Sequence, residues 1–144
     1  MCKRACLLAM FFVVSAFSQT TDKQAREVSD AFMRDIAAGR TEAAIERWHK
    51  AGAEQFEQQF LETTAASSIR SNVENCGRPA AVTPLQDGKP EVGELVTQDR
   101  KIKQLIFLYR VRTPRGLRRF DVTVEAGETG EYHVAGLGCG ILKE

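Results

Sequence analysis

The chain changes its grammar once, near residue 76, and that change confines what it can fold into. Before it, apolar residues recur with the helical period. Val28, Phe32 and Ile36 stand four apart, with Ala25 and Met33 beside them on one face. After Asn75-Cys76-Gly77, the residues Pro79, Pro84, Gly88 and Pro90 cut the chain into segments too short for long helices. Period two then takes over, with Phe120, Val122 and Val124 on one face and Asp121, Thr123 and Glu125 on the other. Helices followed by strands, with no internal repeat, predict an α+β domain. Its N-terminal helices, about 22–70, pack on a curved antiparallel sheet built from about 80–140.

Local signals divide the two halves further. Thr21 with Gln24 has the form of a capping box, and Gly39 suits a left-handed helix stop. Thr41 is placed to cap a short second helix carrying Ala44, Ile45 and Trp48. A third helix starts near Ala53 with Phe56, Phe60 and Leu61 as its stripe, and weakens through Thr63–Ser68. Strands are expected at Val82–Leu85, Val92–Thr97, Gln104–Arg112, Arg119–Glu125 and Tyr132–Leu137. Turns fall at Thr113–Leu117 and Ala126–Gly130.

The first eighteen residues read as an address rather than as fold. Lys3 and Arg4 precede an apolar run from Ala5 to Val14, too short to cross a hydrocarbon core of about 30 Å. Ala16 and Ser18 then occupy the −3 and −1 positions of a cleavage site, with cleavage after Ala16 as the alternative. A signal peptide over 1–18 implies a secreted or periplasmic domain over 19–144, with no stable membrane span once the signal is gone. Of the 144 residues, 126 would remain, and the formal charge of +1 would become −1. That balance argues against nucleic acid as a partner. It also leaves Cys76 and Cys139 as the two remaining cysteines in an oxidising compartment, and predicts a disulfide between them.

The order of elements resembles the cystatin-like, NTF2-like superfamily of cone-shaped α+β domains. The stretches that carry the likeness are VSDAFMRDIAAGRTEAAIERW, LIFLYRVR, RRFDVTVE and EYHVAGLG, across most of residues 22–140. Tyr132-His133-Val134-Ala135-Gly136 looks like the last strand of small exported members of uncharacterised function. The superfamily includes ketosteroid isomerases, dehydratases, transport adaptors and domains without known activity, so the likeness implies a fold and not one function.

Several side chains are candidates for chemistry. If Glu125 opposes Glu131 across the last turn, Val124 faces Tyr132, Val122 faces Val134 and Thr123 faces His133. Asp121 then lies diagonal to His133, close enough to orient an imidazole. The cost of that register is a like-charged glutamate pair. Tyr109 could donate a hydroxyl, as the isomerase likeness suggests, although its parity with Leu105, Phe107 and Val111 also makes it a core aromatic. Arg100–Arg119 holds eight basic residues and no acid, and Arg115, Arg118 and Arg119 cluster at a turn as an anion-binding edge. Alternating charge that resists edge-to-edge aggregation explains the same pattern. His49, His133, Cys76 and Cys139 have no metal-ligand spacing, and Gly136, Gly138 and Gly140 precede no helix, so neither a metal nor another cofactor is expected. The leading expectation is an exported domain that binds a small ligand or a protein without catalysis. The alternatives are an isomerase- or dehydratase-type enzyme using Asp121, His133 and Tyr109, and an accessory module with a basic turn.

Overall fold

A computed structural model describes residues 7–48, 55–96, 98, 101–127 and 130–143; side chains are described from residue 22 onward, except those of 55–58, 60 and 61. Helix α1 spans Leu7–Ala37, α2 spans Thr41–Glu46 and α3 spans Gln55–Cys76. Strands β1 (Ala81–Pro84), β2 (Glu91–Val96), β3 (Lys101–Thr113), β4 (Gly116–Ala126) and β5 (Tyr132–Ile141) follow in one antiparallel sheet. The fold is α+β with the helices on the sheet, as the two-part grammar implies.

Helix α1 ends where glycine permits. Gly39 has φ +72°, its N–H donates to the Ile36 carbonyl at 3.0 Å, and the Arg40 N–H donates to the Asp35 carbonyl at 2.8 Å. This is the Schellman pairing, and it swings Arg40 back over the last turn. Two capping expectations fail. The helix runs through Thr21 and Gln24 without starting there. At α2 the N-cap is Arg40 with no side-chain bond, so Thr41 is the first helical residue and not the cap. The third helix does not weaken at Thr63–Ser68 but continues to Cys76. Ala65 and Ile69 are buried, Val73 packs against the core and Cys76 is buried, which makes a narrow stripe at helical spacing. The side chains of Phe56, Phe60 and Leu61, and all of His49, lie outside the described residues.

The core lies between α1, α3 and the inner sheet face. Phe107, Tyr109 and Val111 of β3, with Phe120, Val122 and Val124 of β4, meet Phe32, Met33 and Ile36 of α1 and Ile69 of α3. Fully buried side chains of this size contribute ~1.5–3 kcal/mol each. Trp48 packs edge-on against Phe32 with ring centroids 5.9 Å apart. Strands β1 and β2 share one edge of β3, pairing with residues 109–112 and 101–106 respectively. Between them Gln86, Asp87 and Gly88 all take positive φ, so the edge strand breaks there.

A bulge in β5 decides where its second half points. Val124 pairs with Val134, but Thr123 pairs with Gly136, leaving Ala135 as the extra residue. The insertion reverses parity, so Leu137 and Cys139 face inward opposite Val122 and Phe120. Without it Cys139 would oppose Arg119 on the outer face. With it, Cys139 reaches the end of α3 and forms the disulfide with Cys76, at a Cα separation of 6.4 Å. The strand runs to Ile141, past the expected end at Leu137, because Gly136 and Gly138 face outward beneath Thr123 and Asp121.

Candidate functional site

The most informative polar cluster begins with an acid that α1 buries. Asp35 is only 5% exposed, a costly place for a carboxylate without partners. Arg40, brought back by the Schellman turn, donates to Asp35 Oδ1 from Nε at 3.0 Å and from Nη2 at 2.8 Å. Arg47, just past α2, donates from Nε to Asp35 Oδ2 at 2.7 Å. Burial pushes the Asp35 carboxyl up, but the hydrogen bonds and charges of Arg47 and Arg40 outweigh it and hold it below the usual carboxylate range. The Arg47 carbonyl then accepts the Val134 N–H at 2.8 Å, and Trp48 bridges to Val134 alongside. One carboxylate thereby ties α1 to α2 and, through Arg47, to the edge of β5.

The same arrangement presents Arg47 to solvent. Among the described residues only its Nε is engaged by a partner, and the side chain is 39% exposed. Two adjoining hollows of about 580 and 250 Å³ open here, and both are lined by Val28, Arg47, Glu131 and Tyr132. Gln24 and Glu27 of α1 border the larger hollow, while Glu46, Trp48 and His133 border the smaller. Together they form an open groove between α1, the end of α2 and the start of β5. Sequence reasoning missed Arg47, Glu27 and Glu131, because no spacing marks them; they meet only through the Asp35 cluster and the β4–β5 turn.

Tyr109 belongs to a second polar cluster, which is closed. Its hydroxyl is 2.8 Å from Asp30 Oδ1, to which it donates, and 2.7 Å from Ser29 Oγ, from which it then accepts. The residue is 2% exposed. Burial pushes the phenol well up; the Ser29 hydrogen bond opposes this and the Asp30 carboxylate reinforces it. Arg26 lies 3.6 Å from Asp30 Oδ2 and passes over Gly88, where a Cβ would strike its guanidinium. Tyr109 thus pins α1 to the sheet, in the core position that its strand parity implies.

The last hairpin has a different register from the one expected. The turn sits one residue further along the chain: Ala126 pairs with Tyr132, and the Gly127 N–H donates to the Glu131 carbonyl at 2.7 Å. Glu125 therefore faces His133, with Nε2 of His133 3.9 Å from Glu125 Oε2. Gln104 donates to the other oxygen of Glu125 at 2.7 Å. This register replaces a repulsive glutamate pair with a carboxylate–imidazole pair, the physical reason to prefer it. Asp121 is opposite Gly138, four β4 residues from Glu125, or about 13 Å along the strand. Asp121 and His133 share the outer face but are not brought together, and the acid beside His133 is Glu125.

The three turn arginines diverge. Arg115 donates from Nη1 to the Asn75 carbonyl at 3.1 Å, and Thr113 Oγ1 lies 2.8 Å from the Cys76 carbonyl, so both cap the end of α3. Arg118 shares the inner parity of Phe120, and its Nη1 donates to the Leu117 carbonyl at 2.9 Å. Arg119 is on the outer face, directly opposite Arg110.

Among the described residues, no helix is long and apolar enough to cross a membrane. Comparison of the chain with protein-family models, with curated proteins and with solved structures gives no match in any of the three.

Proposed function

We propose that this is an exported domain of the NTF2-like architecture that binds a small organic ligand, without catalysis, in the groove between α1, the end of α2 and the start of β5. The observation that carries this reading is the state of Arg47. Its guanidinium is oriented by one bond from Nε to buried Asp35, and the residue lines an open groove beside Tyr132. A donor fork held this way has lost its conformational freedom before a ligand arrives, which lowers the entropic cost of binding. The groove is concave, and its lining sets charged side chains beside the apolar surface of Val28, Trp48 and Tyr132. The disulfide and the signal-like first eighteen residues support export.

The test is a ligand screen read by two-dimensional NMR on the labelled protein. Binding that moves the resonances of Arg47, Tyr132 and Val28, and leaves those of Asp121 and Tyr109 in place, is the expected result. Ligands that map instead to the outer sheet face sink the reading.

A further inference from the structure

We infer that the groove takes a small zwitterion, a molecule carrying one ammonium and one carboxylate on an apolar body. The inference rests on the groove reading above and adds the chemistry of the ligand. Asp35 is a single negative charge shared by two guanidiniums, so the Asp35–Arg40–Arg47 cluster keeps a net positive charge. Arg47 lines both hollows, and its two Nη groups, which Asp35 does not take, have the fork geometry that suits a carboxylate. Among the described residues, three carboxylates stand around it: Glu27 and Glu131 at the larger hollow, and Glu46 with Glu131 at the smaller. Glu46, Glu131 and Glu27 are exposed, and Lys23 lies 4.0 Å from Glu27.

This mixture discriminates by charge. A simple anion that reaches Arg47 meets three glutamates, and a simple cation meets Arg47 itself. A molecule with both charges satisfies the fork with its carboxylate and the glutamate rim with its ammonium. Between them, Val28 and Tyr132 offer apolar and aromatic surface for the body of the ligand, with the edge of Trp48 deeper in. Free amino acids with large apolar side chains and short apolar peptides with free ends share this chemistry.

Isothermal titration of the full chain decides the matter, using L-leucine, L-phenylalanine, the dipeptide leucyl-phenylalanine, N-acetyl-L-phenylalanine and L-phenylalanine amide. At least one free zwitterion binds saturably, and the arm that binds best separates free amino acid from peptide. The N-acetyl and amide forms of phenylalanine, each lacking one charge, bind at least about tenfold more weakly. Glu27→Gln with Glu131→Gln, both at the groove rim, weakens the zwitterion about tenfold and leaves the N-acetylated acid no weaker. Arg47→Lys keeps the charge, loses the fork and weakens the zwitterion by a similar factor. Equal binding by a singly charged analogue, or no binding by any of the zwitterions, overturns the inference. Zwitterion binding that is indifferent to Arg47→Lys, to the double glutamine variant and to Tyr132→Ala overturns the groove reading itself.

Discussion

Helix α1 carries two acid clusters five residues apart, one on half-buried Asp30 and one on buried Asp35, and they have opposite fates. Around Asp30, the Tyr109 hydroxyl closes a circuit with Ser29 against the sheet, and Arg26, which lines neither hollow, pairs with the other carboxylate oxygen. Around Asp35, two arginines converge on one carboxylate, and one of them keeps donors that face a groove. Stoichiometry and placement together account for the difference, since Arg47 lines the groove and Arg26 does not. One hydroxyl between an acceptor and a donor is satisfied, whereas two five-donor guanidiniums on one carboxylate are not. A buried polar cluster is therefore a structural pin when its hydrogen bonds balance, and a candidate site when donors remain at a solvent-facing edge.

The largest effect is expected where neither cluster is touched, and it tests whether the groove is independent of the far end of β5. Replacing Cys76 and Cys139 with serine opens a link across 63 residues of sequence. The chain-entropy model puts its loss at about 4 kcal/mol, read as a lower denaturation midpoint. Groove binding by the still-folded protein is unchanged, because Val134 is held by Arg47 and not by the disulfide.

Next, Asp35→Asn separates the clusters directly. It leaves two guanidiniums without their carboxylate and costs about 3 kcal/mol, less if both turn out to solvent. Groove binding falls with it, since Arg47 loses its orientation. The penalty depends on pH with a defined sign. The Asp35 carboxyl is held below its unfolded value, so its stabilisation is complete above the ordinary carboxylate range and is lost as pH falls through the depressed value. Melting curves of the two proteins should therefore converge on acidification from pH 5 towards pH 2. A gap that stays constant contradicts the assignment.

The smallest effect belongs to Tyr109→Phe, at about 1 kcal/mol for the lost hydrogen bonds, with groove binding intact. Its phenol is raised on folding, so it stays neutral at acid pH, and the gap to wild type does not close there through its ionisation. The gap narrows instead above about pH 10, where the unfolded tyrosine ionises and the folded one resists. Loss of groove binding in this variant would erase the distinction between the two clusters.

Much of this fold was legible along the chain. The four-residue spacing of Val28, Phe32 and Ile36, the Gly39 stop and the alternation of residues 120–125 all report local periodicity, and the elements formed where those patterns lie. The Cys76–Cys139 pairing followed from there being two cysteines beyond the signal-like segment. What misled was equally local. Thr21-Gln24 and Thr41 have capping chemistry, but a helix that is already running needs no start, and Arg40 precedes α2. The stretch Thr63–Ser68 has poor helix formers, yet Ala65 and Ile69 bury against the core and carry the helix through. The His133 partner was missed because register depends on where the turn is centred, and a loop of glycines and polar residues does not announce its centre.

The sequence by itself determined the α+β class, the inner faces of β3 and β4 and the pair of cysteines available to join, because each depends on period, parity or count. Tertiary structure alone decided the rest. The Ala135 bulge turned Cys139 inward, the one-residue shift of the hairpin turn moved His133 to Glu125, and the Schellman turn with the β5 bridge brought Arg40 and Arg47 onto one carboxylate. The groove beside Arg47 belongs to this second group. Its charges come from three elements distant in sequence, and only the packing of α1 and α2 against the edge of β5 makes them neighbours.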